Sequence, residues 1–294
     1  MSFFQIIGSL ETGLIYGIVA IGVWLTFRVI NFADLTVDGS FALGAAISSS
    51  LIVSGYDPVI ASILGGLGGC LAGSFTALLF LKGGVIEILT GILSMTALYS
   101  INLRIMESPN VGLFGKQTIF TKYKLPLAYE KTALIFFVVL SLVLILSLLF
   151  KTNFGLGLIA TGNNPVACRS FGISTSTAKI ITIALSNGLV AFAGSLFCQS
   201  EGFADSSMGG GTIIAGLAAV VLGESFLRNR SILIRLLACV VGSIIYRAAV
   251  SWALSASSIG LKSSDLSLIS ALLVIGSLQF PRIKLLINRK VAMP

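Results

Sequence analysis

The chain has 294 residues, of which 56% are apolar and only 10% are charged, and its mean hydropathy is +1.03. Soluble domains carry about 25% charged residues, so this composition excludes an ordinary water-soluble protein and favours a lipid-embedded one. Histidine is absent, which excludes Ser-His and Cys-His catalytic pairs, histidine metal sites and imidazole proton relays.

Nine apolar runs along the chain are long enough, or nearly so, to cross a bilayer, which takes about 20 residues in a helix. They cover 3–27, 39–54, 58–81, 85–105, 132–150, 177–198, 211–227, 232–254 and 266–280. We therefore predict an all-α polytopic membrane protein of about eight to ten spans. The short, glycine-interrupted runs 39–54 and 211–227 are candidate half-helices that line a cavity.

We expect one transmembrane domain over 1–294, built from two inverted repeats. The predicted parts are a first repeat at about 1–105, an outer loop 106–131, a second repeat at 132–280 that includes an inner segment 151–176, and a basic tail 281–294. The N-terminus lacks a basic stretch and a small-residue cleavage site, so we read it as a retained first span.

The net charge of +8 comes without a block of lysines or arginines, so we expect no nucleic-acid surface. The basic residues instead indicate topology. A cytoplasmic C-terminus places about twice as many lysines and arginines in inner loops as in outer ones, as the positive-inside rule requires. That orientation implies an outer N-terminus and an odd number of spans.

The inner segment 151–176 predicts a short exposed helix. Asn163 and Asn164 suit a helix cap, Pro165 suits the first turn, and Gly172 suits a C-terminal stop. Such a helix is either a grip for a cytoplasmic subunit or a connector on the membrane surface. The outer loop 106–131 likewise either caps a path, touches a partner or merely connects.

Two polar, glycine-containing stretches each lead into a helix of small residues, and in the predicted topology these helices run in opposite directions. Asp38 and Thr212 are their candidate N-caps, with free backbone N–H groups that face an anionic substrate group. We assign a substrate path to the polar residues near these stretches and near the first span. They are Glu11, Asn31, Asp34, Asp38, Ser40, Ser206, Ser207 and Thr212.

Three other features of the sequence are interpreted as structural. Gly65, Gly69 and Gly73 recur every four residues and predict a close helix contact, within the subunit or at a dimer seam. Glu11 and Arg247 lie towards the outer ends of their spans and are candidates for an ion pair, whereas Glu87 and Glu224 lie near inner ends. The four scattered cysteines read as small buried hydrophobes.

The chain has no G-x-x-x-x-G-K-[ST] motif and no metal-ligand cluster, so we expect no cofactor in this chain and no catalytic residues. Its own residues offer no energy source for transport.

The stretches GLIYGIVAIGVWLTFRVINFADLTVDGSFALGAA (13–46) and TGNNPVACRSFGIS (161–174), with the following span and SLFCQSEG (195–202), resemble the permeases of branched-chain amino acid and ribose ABC importers. The likeness runs over nearly the whole chain. ADLTVDGSF and ILTGILSMTALYSINLRIM (88–106) are most similar to the branch associated with tryptophan or tyrosine uptake. Ala33-Asp34 departs from the alanine-histidine pair common in the branched-chain permeases, which leaves the substrate open.

The resemblance implies a substrate path at a dimer interface, two ATPase subunits inside that bind ATP and Mg, and a substrate-binding protein outside, all at a bacterial inner membrane. It also implies that the inner helix inserts into the ATPase. The residues matched to that coupling segment are Gly162, Asn163, Asn164, Pro165, Ala167, Arg169 and Gly172. The expected function is a permease subunit for an aromatic or branched-chain amino acid. The alternative is a self-sufficient secondary transporter in which Glu11, Asp34 or Asp38 couples an ion to transport.

Overall fold

The structure is a computed structural model that describes residues 3–123, 130–227, 231–255, 271–272 and 275–276. Eleven α-helices and two short strands are found in the long described ranges. The helices are α1 Phe3–Trp24, α2 Thr36–Val53, α3 Pro58–Leu81, α4 Glu87–Met106, α5 Ile119–Lys122, α6 Glu130–Lys151, α7 Asn153–Asn163, α8 Pro165–Ser170, α9 Thr175–Glu201, α10 Thr212–Phe226 and α11 Ile232–Ser255. The strands are β1 Asn110–Gly112 and β2 Phe203–Asp205, and a π-helical turn, Leu25–Val29, extends α1.

Seven of these helices are long and apolar enough to cross a membrane, which confirms the polytopic all-α prediction. They are α1 with its π-helical extension, α2, α3, α4, α6, α9 and α11. The run 39–54 corresponds to α2 and has spanning length, whereas 211–227 corresponds to the 15-residue α10, which does not. The predicted span 266–280 and the tail 281–294 lie outside the continuously described ranges.

Helix α9 is the centre of the bundle, and it packs most extensively against α3 and α2. Gly65, Gly69 and Gly73 of α3 all face it. A side chain on Gly69 would meet Ala191 and the Asn187 carbonyl, so only hydrogen allows this approach. The glycine face is therefore used within the subunit.

An irregular segment, residues 30–35, connects the π-helical turn to α2. Ile30, Phe32 and Asp34 in this segment are buried although they belong to no helix. The Ser40 hydroxyl at the start of α2 donates to the Asn187 side chain at 2.6 Å, so α2 begins beside the middle of α9. Irregular backbone inside a membrane protein is tolerated where protein buries it or where it lines a water-filled cavity, and protein buries three residues of this segment.

The outer loop folds over the ends of α2, α3 and α9. Its strand β1 pairs antiparallel with β2, in the register Asn110 with Asp205 and Gly112 with Phe203. The Lys122 ammonium pairs with the carboxylate of Asp57, the N-cap of α3. This hydrogen bond is the main cause that lowers the pKa of Asp57, and the same contact raises the pKa of Lys122.

Candidate functional site

The start of α10 is capped by a side chain from α2. The carboxylate of Asp38 accepts hydrogen bonds from the backbone N–H of Ile213 at 2.7 Å, from that of Gly211 at 3.1 Å and from the Thr212 hydroxyl at 2.7 Å. Asp38 is itself buried in the first turn of α2. One carboxylate thus meets the positive ends of two helices, which is a favourable position for a negative charge.

This geometry corrects the predicted caps. Leu35, without a side-chain bond, is the N-cap of α2, and Gly211 is the N-cap of α10, so Asp38 and Thr212 are not the caps of their own helices. The N–H groups at the start of α10 were expected to face a substrate, but Asp38 occupies them. The Asp38 carboxylate reaches these N–H groups because the starts of α2 and α10 lie in direct contact.

Asp34 and Ser40 both bond Asn187 of α9, which was not among the predicted site residues. The Asn187 amide donates to Asp34 at 2.6 Å and accepts from the Ser40 hydroxyl at 2.6 Å. Asp34 also accepts from the backbone N–H of Thr36 at 2.9 Å. All of these groups are fully buried, so they hold the start of α2 against α9 in this conformation. The signal for Asn187 was its place as an amide within an apolar run.

The remaining residues of the predicted path lie apart. Ser206 and Ser207 belong to the turn before α10, where Ser207 donates its N–H and hydroxyl to Asp205 at 2.7 and 2.5 Å. These bonds lower the pKa of the Asp205 carboxyl. The Asn31 amide instead donates to the Gly162 carbonyl at 3.1 Å, on the inner segment. The structure does not gather the eight residues into one site.

Glu11 lies at a polar cavity of about 490 Å³. Its carboxylate pairs with the Lys131 ammonium at 3.1 Å and accepts from the Thr132 hydroxyl at 2.7 Å. The proposed partner Arg247 lines the same cavity but makes no ion pair within the described ranges. The Glu11–Arg247 pair was therefore wrong, since the start of α6 brings Lys131 to Glu11. Glu224, near the end of α10, pairs with Arg28 of the π-helical turn.

The inner segment contains the predicted helix and one more. α8 is capped as expected: the Asn164 side chain accepts from the backbone N–H of Ala167 at 3.0 Å, and Pro165 opens the first turn. Gly172 follows the C-cap of α8 with φ +79°, a left-handed conformation that suits glycine. The Arg169 Nε donates to the Thr175 hydroxyl at 3.0 Å and ties α8 to the start of α9.

Helix α7 was not predicted, and it fixes α8 to the bundle. Leu158 and Thr161 of α7 are buried, and a side chain on Gly162 would meet the Val29 carbonyl. Together with the Asn31–Gly162 bond, this contact seats the end of α7 on the turn that follows α1. The last turn of α7, immediately before α8, is therefore in contact with the π-helical turn and with the irregular segment that leads to α2.

No group of histidine, cysteine, aspartate and glutamate in the described ranges is arranged to hold a metal ion. Cys168, Cys198 and Cys239 are buried and Cys70 is half-buried, and none is disulfide-bonded.

Comparison with known proteins identifies the family of this architecture. Residues 5–278 match the family described as branched-chain amino acid transport system / permease component. A tyrosine transport system permease protein of Clostridioides difficile is 37% identical over 273 residues, which cover 93% of this chain and 90% of the relative. A ribose import permease protein of Bacillus subtilis is 30% identical over 76% of this chain and 69% of the relative.

The structure is also similar to a solved one, PsaBC from Streptococcus pneumoniae in complex with Fab. The TM-score is 0.54 at 14% identity, and the match covers 93% of this chain and 89% of the other, so the likeness concerns the fold. The spanning helices, the fold and the match over 5–278 agree, and the chain belongs to the branched-chain amino acid transport system permease family, whose members include permease components of ABC-type importers.

Proposed function

We propose that this chain forms the translocation path of an ABC importer for an amino acid, aromatic or branched-chain, and that α8 couples it to a partner ATPase. Its substrate would cross by alternating access between two permease copies. ATP hydrolysis would be the work of the partner, and this chain would not itself be an enzyme.

The observation that carries the coupling role is the exposed apolar tip of α8. Val166 within α8 is 72% exposed and Phe171 at its C-cap is 84% exposed, although Cys168 of the same helix is buried. Large apolar side chains in that arrangement fit a hydrophobic groove on another protein. The Asn164 cap and helix α7 hold this tip in place. Gly162 at the end of α7 contacts Val29 and Asn31, so a displacement of α8 would be transmitted to these two residues.

An amino acid substrate is supported by the family description and by the relative whose name states tyrosine transport. The name of the ribose relative states a different solute at 30% identity, so membership of the family alone does not fix the solute. The partners we propose are two cytoplasmic ATPase subunits, a second permease copy and an extracytoplasmic binding protein. The proposed cellular location is the bacterial inner membrane, with α8 and the C-terminus in the cytoplasm.

The rival function is an ion-coupled secondary transporter. It requires a carboxylate that binds and releases an ion, and the three candidates all have partners: Asp34 bonds Asn187, Asp38 caps α10, and Glu11 pairs with Lys131. The rival also leaves the exposed tip of α8 without a role. Both points favour the coupled permease.

The test is ATP hydrolysis by the importer complex purified from the native membrane and reconstituted in liposomes. Val166→Ser with Phe171→Ser should abolish substrate-stimulated hydrolysis and leave thermal unfolding of the permease unchanged. Phe114→Ser is the matched control, since Phe114 is 85% exposed on the outer loop and should have no effect on coupling. Normal stimulation in the double variant would disprove the coupling role of α8.

A further inference from the structure

The cavity that Glu11 lines is built by four helix ends on the outer side of the bundle. It lies between the beginning of α1, the beginning of α6, the end of α9 and the outer part of α11. Its volume of about 490 Å³ is within the range of small-molecule sites, about 300–1,000 Å³. Hydroxyls of Ser9 and Ser251 share the lining with the apolar Val250 and Leu254.

Two of the charges at this cavity neutralise each other. Lys131 donates to the Glu11 carboxylate at 3.1 Å and to the Ser200 carbonyl at 3.0 Å. Glu11 also accepts from the Thr132 hydroxyl at 2.7 Å. This cluster has its own partners and forms a wall of the cavity.

Arg247 is different, because its charge lacks an anionic partner in the part of the chain that the structure describes. Its guanidinium stacks on the Tyr16 ring, with the central carbon 3.5 Å from the ring centroid. Its Nε is buried and makes no hydrogen bond. A guanidinium fixed on an aromatic face keeps its donors directed sideways, which is the geometry that binds a carboxylate.

A negative group lies at the rim of the same cavity. Glu201, the last residue of α9, is exposed there, and the C-terminal end of α9 adds partial negative charge. Arg247 lies one helical turn inward of Ser251 and two turns inward of Leu254. The cavity therefore has a cation on its inner side and an anion at its mouth.

We infer that this cavity is an outer binding site for a zwitterionic amino acid, with the substrate carboxylate on Arg247 and its ammonium group towards Glu201. The inference rests on the proposed function and names a substrate-holding site for it. Val250 and Leu254 provide apolar surface for the side chain of the amino acid.

Binding to the permease alone, in phosphatidylcholine nanodiscs, tests the site. L-tyrosine should bind, and tyramine, which lacks the carboxylate, should bind about tenfold or more weakly because a charged hydrogen bond is lost. Arg247→Gln should weaken L-tyrosine binding by a similar factor. The control Arg28→Gln, at the inner end, should bind as the unchanged protein does.

A second variant covers the case in which Arg247→Gln does not fold. Gly8 lines the cavity and a side chain there meets no atom within 4 Å, so Gly8→Phe should fill the cavity and block binding without disturbing Arg247. Equal binding of tyrosine and tyramine, or normal binding by a folded Arg247→Gln or Gly8→Phe protein, would overturn the site. Displacement of tyrosine by phosphatidylglycerol in the nanodisc, with no difference between tyrosine and tyramine, would assign Arg247 to lipid headgroups instead.

The proposed function is judged separately, by ATP-driven tyrosine uptake through the purified complex. Uptake that persists in Arg247→Gln would overturn the outer site and leave the importer function intact. No uptake by the unchanged complex, with Arg247-dependent binding to the permease, would support the site and overturn the proposed importer function.

Discussion

Asp38 and Ile213 are 175 positions apart in the sequence, and the carboxylate of the first accepts the backbone N–H of the second at 2.7 Å. This bond joins the start of α2 to the start of α10, and each of these helices follows an irregular segment. At the same contact, a side chain on Gly209 would meet the Asp38 carbonyl, so the two backbones touch. The two halves of the chain are thus joined through a helix cap.

The cap predicts a stability effect. Asp38→Ala leaves the Gly211 and Ile213 N–H groups and the Thr212 hydroxyl without acceptors, which costs about 1–3 kcal/mol for a buried group. The unfolding midpoint in detergent should fall accordingly. Thr212→Val should destabilise the protein less. The double variant should lose less stability than the sum of the two single variants, since both changes remove the same Asp38–Thr212 hydrogen bond. Additive losses would contradict a direct Asp38–Thr212 interaction.

The α3–α9 contact predicts a strict requirement for glycine. Gly69→Ala places a methyl group against Ala191 and the Asn187 carbonyl, so it should destabilise the fold by about 1–3 kcal/mol through overpacking. Gly157→Ala in α7 is the matched control, because nothing lies within 4 Å of that position and alanine favours a helix. Thermal unfolding of both variants checks this, and equal midpoints would contradict the packing argument.

The outer contact between Asp57 and Lys122 predicts a pH effect. The pKa of Asp57 is lowered in the folded protein, so its contribution to stability is present above the unfolded value of about 3.9 and is lost as pH falls through the lower folded value. Asp57→Asn should therefore lower the unfolding midpoint at neutral pH, and the difference should shrink below about pH 4. A difference in unfolding midpoint between the two proteins that grows in acid would contradict a stabilising Asp57 carboxylate.

The proposed orientation predicts which side each exposed residue faces. In sealed right-side-out vesicles, the Phe114→Cys protein should react with a membrane-impermeant maleimide. The Val166→Cys protein should react only after the vesicles are opened, because α8 is assigned to the cytoplasm. The native cysteines are buried or half-buried and give the background. Labelling of the Val166 position from outside would reverse the topology.

The spans followed from local composition, and α3 begins and ends at the predicted residues 58 and 81. The start of α2 was misplaced at Gly39 because Asp38 was predicted to be its N-cap. The helix begins at Thr36, whose N–H donates to Asp34, and Gly39 lies inside it, where it allows close contact with Met95 and Leu98. Helix α7 was missed because its glycines reduce the helical signal, whereas Gly155 and Gly162 permit close packing.

The hydrogen-bond partners of the buried polar residues could not be predicted from the neighbouring sequence, because they lie far away along the chain. Asp34 is 153 positions from Asn187, and a carboxylate in an apolar run is equally compatible with a substrate, an ion or a helix end. The identity of the Glu11 partner depended on where α6 begins, which hydropathy does not resolve to one residue. The cap of α8 was predictable because all its parts lie within a few residues of each other.

The central claim is that this permease transports only when a partner ATPase drives it. The purified chain alone should be placed in liposomes with a sodium or proton gradient and tested for concentrative uptake of radiolabelled L-tyrosine. The same assay should be run with the complex from the native membrane and ATP on the side of α8. The account predicts uptake only by the complex with ATP; concentrative uptake by the chain alone on an ion gradient would contradict it.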